Sequence, residues 1–331
     1  MFRTLRTKPL RGLFPAVALT STLAAAAASY HIYNRNTFYT NDIITDFRNN
    51  GIFNLPFSSK KILLDSSIAA NEVKVDDSIS PFPTRIPKSS NVSQNFALLG
   101  HGVRSVTFVS FKVYGIAIYI AESDIPQARE ILRSYAKAHP SPPSPAPTPS
   151  DTASSLVQSS LTESLANPVH SEEVVSLLLS HNIRFLLRLS PVRNTDFNHL
   201  KDGLIKSILA HSTIKEASEE KKQELSKGLD ELRDCFGKTR GSVPKDDLLV
   251  MEQLQNGELA IAYVGHKKKK DKDGNEEKEK DKNSLIVRKM GIVHEPLVAR
   301  TLLLSYLSGK KPLSDSLKKS CMDGLVEIGE K

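Results

Sequence analysis

Hydrophobic and polar positions are most sharply ordered in Leu98–Glu122, LLGHGVRSVTFVSFKVYGIAIYIAE. The stretch opens on Gly100-His101-Gly102, which reads as a turn. Val103, Ser105, Thr107 and Val109 then point one way, and Arg104, Val106, Phe108 and Ser110 the other. That period of two marks a strand with two unlike faces. Val113–Ile120 is apolar on both sides, which predicts a strand covered on both faces. Downstream the period lengthens. Ile125–Ala138 carries Ile125, Ala128, Ile131, Leu132 and Tyr135 at helical spacing. Further helices are predicted at Ser171–Ser180, Thr195–His211 (capped by Asn194 or Thr195), Ile214–Phe236, Glu295–Leu307 and Ser314–Ile328. Strands are predicted at Ile183–Leu189, Leu248–Glu252, Leu259–Val264 and Ser284–Met290. Strands and helices mix without a βαβ rhythm, which argues for an α+β fold, an antiparallel sheet with helices on one face.

Two insertions interrupt this pattern. His139–Pro149 holds six prolines in eleven residues and cannot enter a helix or a sheet interior, so it reads as an extended surface loop. His266–Asn283 carries both charge signs and nothing apolar, which predicts an exposed hairpin loop; a polyanion contact through Lys267–Lys270 is the alternative. Residues 35–94 are polar and broken by Pro56, Pro81, Pro83 and Pro87. They read as a tether with one short strand at Lys60–Leu64.

Charge changes the picture at the N-terminus. Residues 1–41 contain Arg3, Arg6, Lys8, Arg11 and Arg35 and no acidic residue, the composition of a mitochondrial presequence. Gly12–Asn34 is a 23-residue run without a full charge, long enough to span a bilayer as a helix. A secretory signal is the competing reading, since AAAAAS offers small residues for cleavage. We read residues 1–34 as a presequence and inner-membrane anchor, followed by a folded domain over 95–331. The chain of 331 residues carries a net charge of +8, but much of the excess lies in terminal and loop segments without an aromatic-interleaved strand. Nucleic-acid binding is therefore not expected. Cys235 and Cys321 stand far apart with no CxxC, so neither a disulfide framework nor a structural zinc site is expected.

Gly-x-Gly-x-Arg followed by Phe111-Lys112-Val113-Tyr114-Gly115-Ile116-Ala117-Ile118-Tyr119-Ile120 resembles the opening strands of the chalcone isomerase fold. The similarity continues through Arg184–Leu209 and Ser284–Ile328, and the N-terminus and insertions are similar to fungal mitochondrial members of that family. The resemblance implies a chalcone-isomerase-like open-faced sandwich, with Arg104 holding an anionic substrate or ligand and Tyr114 beside it. Isomerisation of a phenolic enone would also need a tyrosine–asparagine set. The matching helix, Asn194–Gly203, has no tyrosine, and the family asparagine falls near Gly203.

Arg104 is also readable from the residues alone, because a guanidinium among apolar strand residues must pair with an anion or with carbonyls. An ordinary salt bridge to Asp196, Asp202 or Glu295 competes with ligand binding. The functional expectation is non-catalytic binding of a small, apolar, anionic ligand near the mitochondrial membrane. By resemblance that ligand is haem; a fatty acid and an isomerase substrate are the alternatives. There is no CxxCH, so the candidate haem ligands are His101 and His294, then His199 and Cys321.

Overall fold

The computed structural model describes residues 71–106, 111–140, 153–239, 241–266, 268–270, 276–278 and 285–331. The expected presequence and anchor, the strand at Lys60–Leu64 and most of the proline run lie outside these residues. Among the described residues no helix is long and apolar enough to cross a membrane.

Seven strands form one antiparallel sheet. They are β1 (Arg85–Ile86), β2 (Phe96–Val106), β3 (Phe111–Ala121), β4 (Phe185–Pro191), β5 (Leu248–Gln253), β6 (Leu259–His266) and β7 (Leu285–Val293). Each pairs with its predecessor in the chain, so the sheet is a plain meander. Antiparallel neighbours need no crossover, which lets long helical excursions leave and re-enter at one end of the sheet. Among the described residues three α-helices lie between β3 and β4: α1 (Ile125–Ala138), α2 (Ala153–Ala166) and α3 (Pro168–Ser180). Two long ones lie between β4 and β5: α4 (Phe197–Ala210) and α5 (Glu219–Gly237). The chain ends with α6 (Pro296–Leu307) and α7 (Asp315–Glu330). A short ribbon, Lys268–Lys270 against Glu276–Lys278, makes the hairpin expected between β6 and β7.

The period of two divides the sheet into two faces. Ile116, Ile118, Ile120, Phe185, Leu187, Leu189, Leu249 and Met251 face the helices and share their core. Ala117, Tyr119 and Leu186 face the other way and pack with Ile79, Phe82, Val92 and Phe96. Residues 71–94 are therefore no tether: they cover the second face. The sequence hid this, because the spacing is mixed: Val73 and Val75 stand two apart, Val75, Ile79 and Phe82 four and then three apart, and Pro81 and Pro83 break any single period. The cover is also pinned by polar contacts. Glu252 accepts from Ser93 N at 3.0 Å, and Asp246 accepts from Ser80 N at 2.6 Å and Ser80 Oγ at 2.7 Å.

Helix α6 is buried on nearly every side, as expected of a mostly apolar helix without a broad polar face. Helix α2 carries no strong period in its sequence, yet Leu161 and Leu165, one turn apart, are fully buried. Helix α4 is capped by Asp196 rather than Asn194 or Thr195, its carboxylate accepting from His199 N at 2.9 Å. The helix expected from Ile214 begins afresh at Glu219 behind a Ser218 cap.

The turn expected at Gly100–Gly102 is instead continuous strand within β2. Its glycines serve close packing, since a Cβ on Gly100 or Gly102 would collide with the α7 backbone at Cys321 or Leu317. The same helix caps an open strand edge. His101 N donates to Ser320 Oγ at 3.1 Å, Val103 N donates to Ser316 Oγ at 3.2 Å, and Ser314 Oγ donates to Val103 O at 2.8 Å. Backbone groups that would otherwise invite a foreign strand are thereby occupied.

Candidate functional site: an apolar cavity over Arg104

Arg104 on β2 and Tyr114 on β3 are direct cross-strand partners, so their side chains share the helix-facing side. Arg104 Nη1 donates to Tyr114 Oη at 2.9 Å and to Ser207 Oγ at 3.1 Å. Ser207 comes from α4 and passes its own proton to Gly203 O, one turn back, at 2.7 Å. Its oxygen is thus free to accept. Tyr114 Oη lies 2.5 Å from Tyr306 Oη of α6, and Tyr306 is 0% exposed. A hydroxyl so deeply buried is costly to leave without an acceptor, which favours Tyr306 as donor and Tyr114 as acceptor. Tyr114 then accepts twice and keeps its own proton for a group in the cavity.

None of the expected carboxylates reaches the guanidinium. Among the described residues its hydrogen bonds go to hydroxyls. Burial works against the cation, but the two phenols more than offset it, so Arg104 stays charged. Burial, chiefly, holds Tyr306 well above the ordinary phenol range, and it is neutral. Among the described residues the cluster therefore carries one uncompensated positive charge.

That charge faces a cavity of about 730 Å³ bounded by β2, β3, α4 and the Thr195–Asp196 ladder with Ser242–Val243. Its walls are largely apolar, with Val106, Val113, Leu189, Leu200, Leu204 and Leu249 among them. Gly203 also lines it, at the position matched to the family asparagine. Arg193 and Lys112 stand at the rim. Arg193 lies over the Phe111 ring at 4.3 Å, and Lys112 is paired with Asp76 at 2.8 Å.

The six candidate residues are not gathered in one place. Arg104 and Tyr114 meet at the cavity floor. His199 lines the rim, its side chain 80% exposed and its Nδ1 hydrogen-bonded to Asp196. His101 pairs with Ala117 and not with Tyr114; it projects from the opposite face of the sheet to Arg104. Burial lowers its pKa and keeps it neutral. His294 sits outside the cavity lining, held by Glu258 at 2.5 Å through Nδ1 and by Glu231 at 2.6 Å through its amide. Cys321 is fully buried under β2, where desolvation pushes its thiol far up.

Tyr306 and Ser207 escaped the sequence reading. Tyr306 lies 192 residues from Tyr114 on a helix that is mostly apolar and buried on nearly every side, so no period singles it out. Only Ser207, one turn after Gly203 in the helix that matched the family, carried a signal.

The family model described as chalcone isomerase like matches residues 94–322. Altered inheritance of mitochondria protein 18, mitochondrial, of Debaryomyces hansenii is 47% identical over 259 residues, 77% of this chain and 75% of that protein. The protein of the same name from Kluyveromyces lactis is 39% identical, covering 77% and 73%. That from Vanderwaltozyma polyspora is 32% identical over 302 residues, covering 90% and 86%. Among solved structures, a fatty-acid-binding protein of Arabidopsis thaliana aligns with a TM-score of 0.47 at 14% identity, over 78% of this chain and all of that one. With its meander sheet, its helical layer and the arginine of its second strand on the cavity floor, this chain belongs to the chalcone-isomerase-like family, beside fungal relatives named as mitochondrial proteins.

Proposed function

We propose that this chain is a non-catalytic mitochondrial protein that binds an anionic, largely apolar ligand over Arg104. One observation carries the reading. A guanidinium whose hydrogen bonds among the described residues go to hydroxyls lies on the floor of a largely apolar cavity of about 730 Å³, a size typical of small-molecule sites. A carboxylate there would gain a charge-assisted pair with Arg104 and a further donor in Tyr114, while its apolar body displaces water from the walls. A long-chain monocarboxylate suits this division best. On the same reading, residues 12–34 tether the domain to the inner membrane, supported by the acid-free basic N-terminus and the uncharged run behind it.

Haem is the second reading. A propionate would take the place of the carboxylate on Arg104, and His199, the one expected histidine lining the cavity, would offer a nitrogen ligand to the iron. Its Nδ1 is already oriented by Asp196, as metal-binding imidazoles commonly are. Bound haem would supply the redox and gas-ligand chemistry of its iron.

The test titrates the full chain separately with a fluorescent long-chain fatty acid and with haem. Arg104→Ala is expected to weaken binding by roughly ten- to a hundredfold. Arg104→Lys should recover only part of that, because it keeps the charge and loses the planar fork. For haem, His199→Ala should shift the Soret band. Unchanged affinity in a well-folded Arg104→Ala protein overturns the proposal, and turnover of a chalcone probe by the wild type would move the reading to catalysis.

A further inference from the structure

A second cluster of polar side chains lies away from the cavity, where the end of α1 meets the start of α3. His139 follows the last residue of α1 and turns back, its Nδ1 lying 3.1 Å from Tyr135 O. A carbonyl can only accept, so Nδ1 carries the proton and Nε2 keeps a free lone pair. Asn167 caps α3, accepting from Val169 N at 2.9 Å. That start places His170 and Glu173 three residues apart, on one helix face. Tyr135 ties the two helices together, its Oη 2.9 Å from His170 Nδ1 and 2.7 Å from Glu173 Oε2. Its ring stacks on His139 with centroids 4.2 Å apart, and the two imidazoles stand 5.4 Å apart.

One ligand atom each from His139, His170 and Glu173 falls within 4.8 Å of the others. Zinc-class ions sit about 2.0–2.2 Å from nitrogen and oxygen ligands, so modest side-chain rotation would close the set. His139 and Glu173 are exposed and His170 is half-buried, which leaves them free to rotate. We propose that His139, His170 and Glu173 form a binding site for a divalent transition-metal ion of the zinc class, with Tyr135 as its positioning residue. Two imidazoles and one carboxylate favour such an ion over magnesium or calcium, which take oxygen donors. Three protein ligands leave a position for water. The ion would join the end of α1 to the first turns of α3, clamping the two sides of the insertion that carries the proline run.

The experiment uses tag-free full-length protein, stripped with EDTA and titrated with zinc chloride in a calorimeter, with thermal melts in zinc and in EDTA. Wild type should bind one zinc ion per chain through this site and melt higher in zinc. His139→Ala and Glu173→Gln should each weaken binding by about tenfold or more and lose the zinc-dependent rise in Tm. Because both side chains are exposed, their melts in EDTA should match wild type, and Tyr135→Phe should show a smaller loss. Magnesium chloride should produce no shift. Absence of zinc binding by wild type, an unchanged titration in His139→Ala and Glu173→Gln, or an equal response to magnesium would overturn the assignment.

Discussion

Arg104 Nη1 stands 2.9 Å from Tyr114 Oη, and Tyr114 Oη stands 2.5 Å from Tyr306 Oη. A strand cation is thereby linked through one hydroxyl to a helix phenol with no exposure to solvent. Tyr306→Phe removes the buried donor while preserving the ring's packing. It should cost about 0.5–1.5 kcal/mol of stability, the net value of one hydrogen bond, whereas Tyr306→Ala, which also opens a cavity, should cost about 3–5 kcal/mol. Urea unfolding of the two variants beside wild type measures both.

The absence of a carboxylate partner among the described residues has a stability consequence. Arg104→Met retains the length of the side chain and removes its charge, and it strands no counter-ion. Removing a half-buried charge that has no counter-ion relieves a desolvation cost. The Tm of unliganded Arg104→Met should therefore equal or exceed that of wild type while fatty-acid binding falls. A sharply lowered Tm would mean that the arginine is structural.

Phe82 is 1% exposed on the sheet face covered by residues 71–94. Phe82→Ala should cost about 3–5 kcal/mol. A residue in a mere tether would cost almost nothing, so equilibrium unfolding distinguishes a cover from a leash.

Helix α7 passes β2 closely enough that Gly102 can carry no side chain without meeting Leu317. Gly102→Ala should destabilise by about 1–3 kcal/mol through overpacking, even though alanine suits a strand at least as well as glycine. The shift in the unfolding midpoint is the readout.

Lys112, chiefly, and then Ser78 hold the Asp76 carboxyl down at about 2, from an ordinary 3.8. A group depressed on folding contributes stability above its unfolded pKa and loses it as pH falls through the folded value. The stability advantage of wild type over Asp76→Asn should thus be full above about pH 4 and vanish towards about pH 2. Urea midpoints taken across that window check the sign.

Elements whose signal is local were legible without a structure. Ile125–Ala138 is a helix with those very ends, because its apolar residues recur at the spacing its own backbone imposes. The strand Val113–Ile120 needed cover on both faces because both of its faces are apolar, and cover is found on both. Arg104 stood out as a cation in an apolar strand. What covers the second face could not be read, because residues 71–94 are ordered by the sheet they lie on and not by a period of their own. The glycines of β2 looked like a turn because the close approach of α7 is a contact across some 219 residues, as at His101 and Ser320. The side of the sheet on which His101 projects depends on register, and a register is a property of two strands, not one. The partners of Arg104 were hidden for the same reason. Ser207 lies 103 residues along the chain from it and Tyr306 lies 192 from Tyr114, and only the packing of α4 and α6 over the meander brings the one hydroxyl to the guanidinium and the other to its phenol partner.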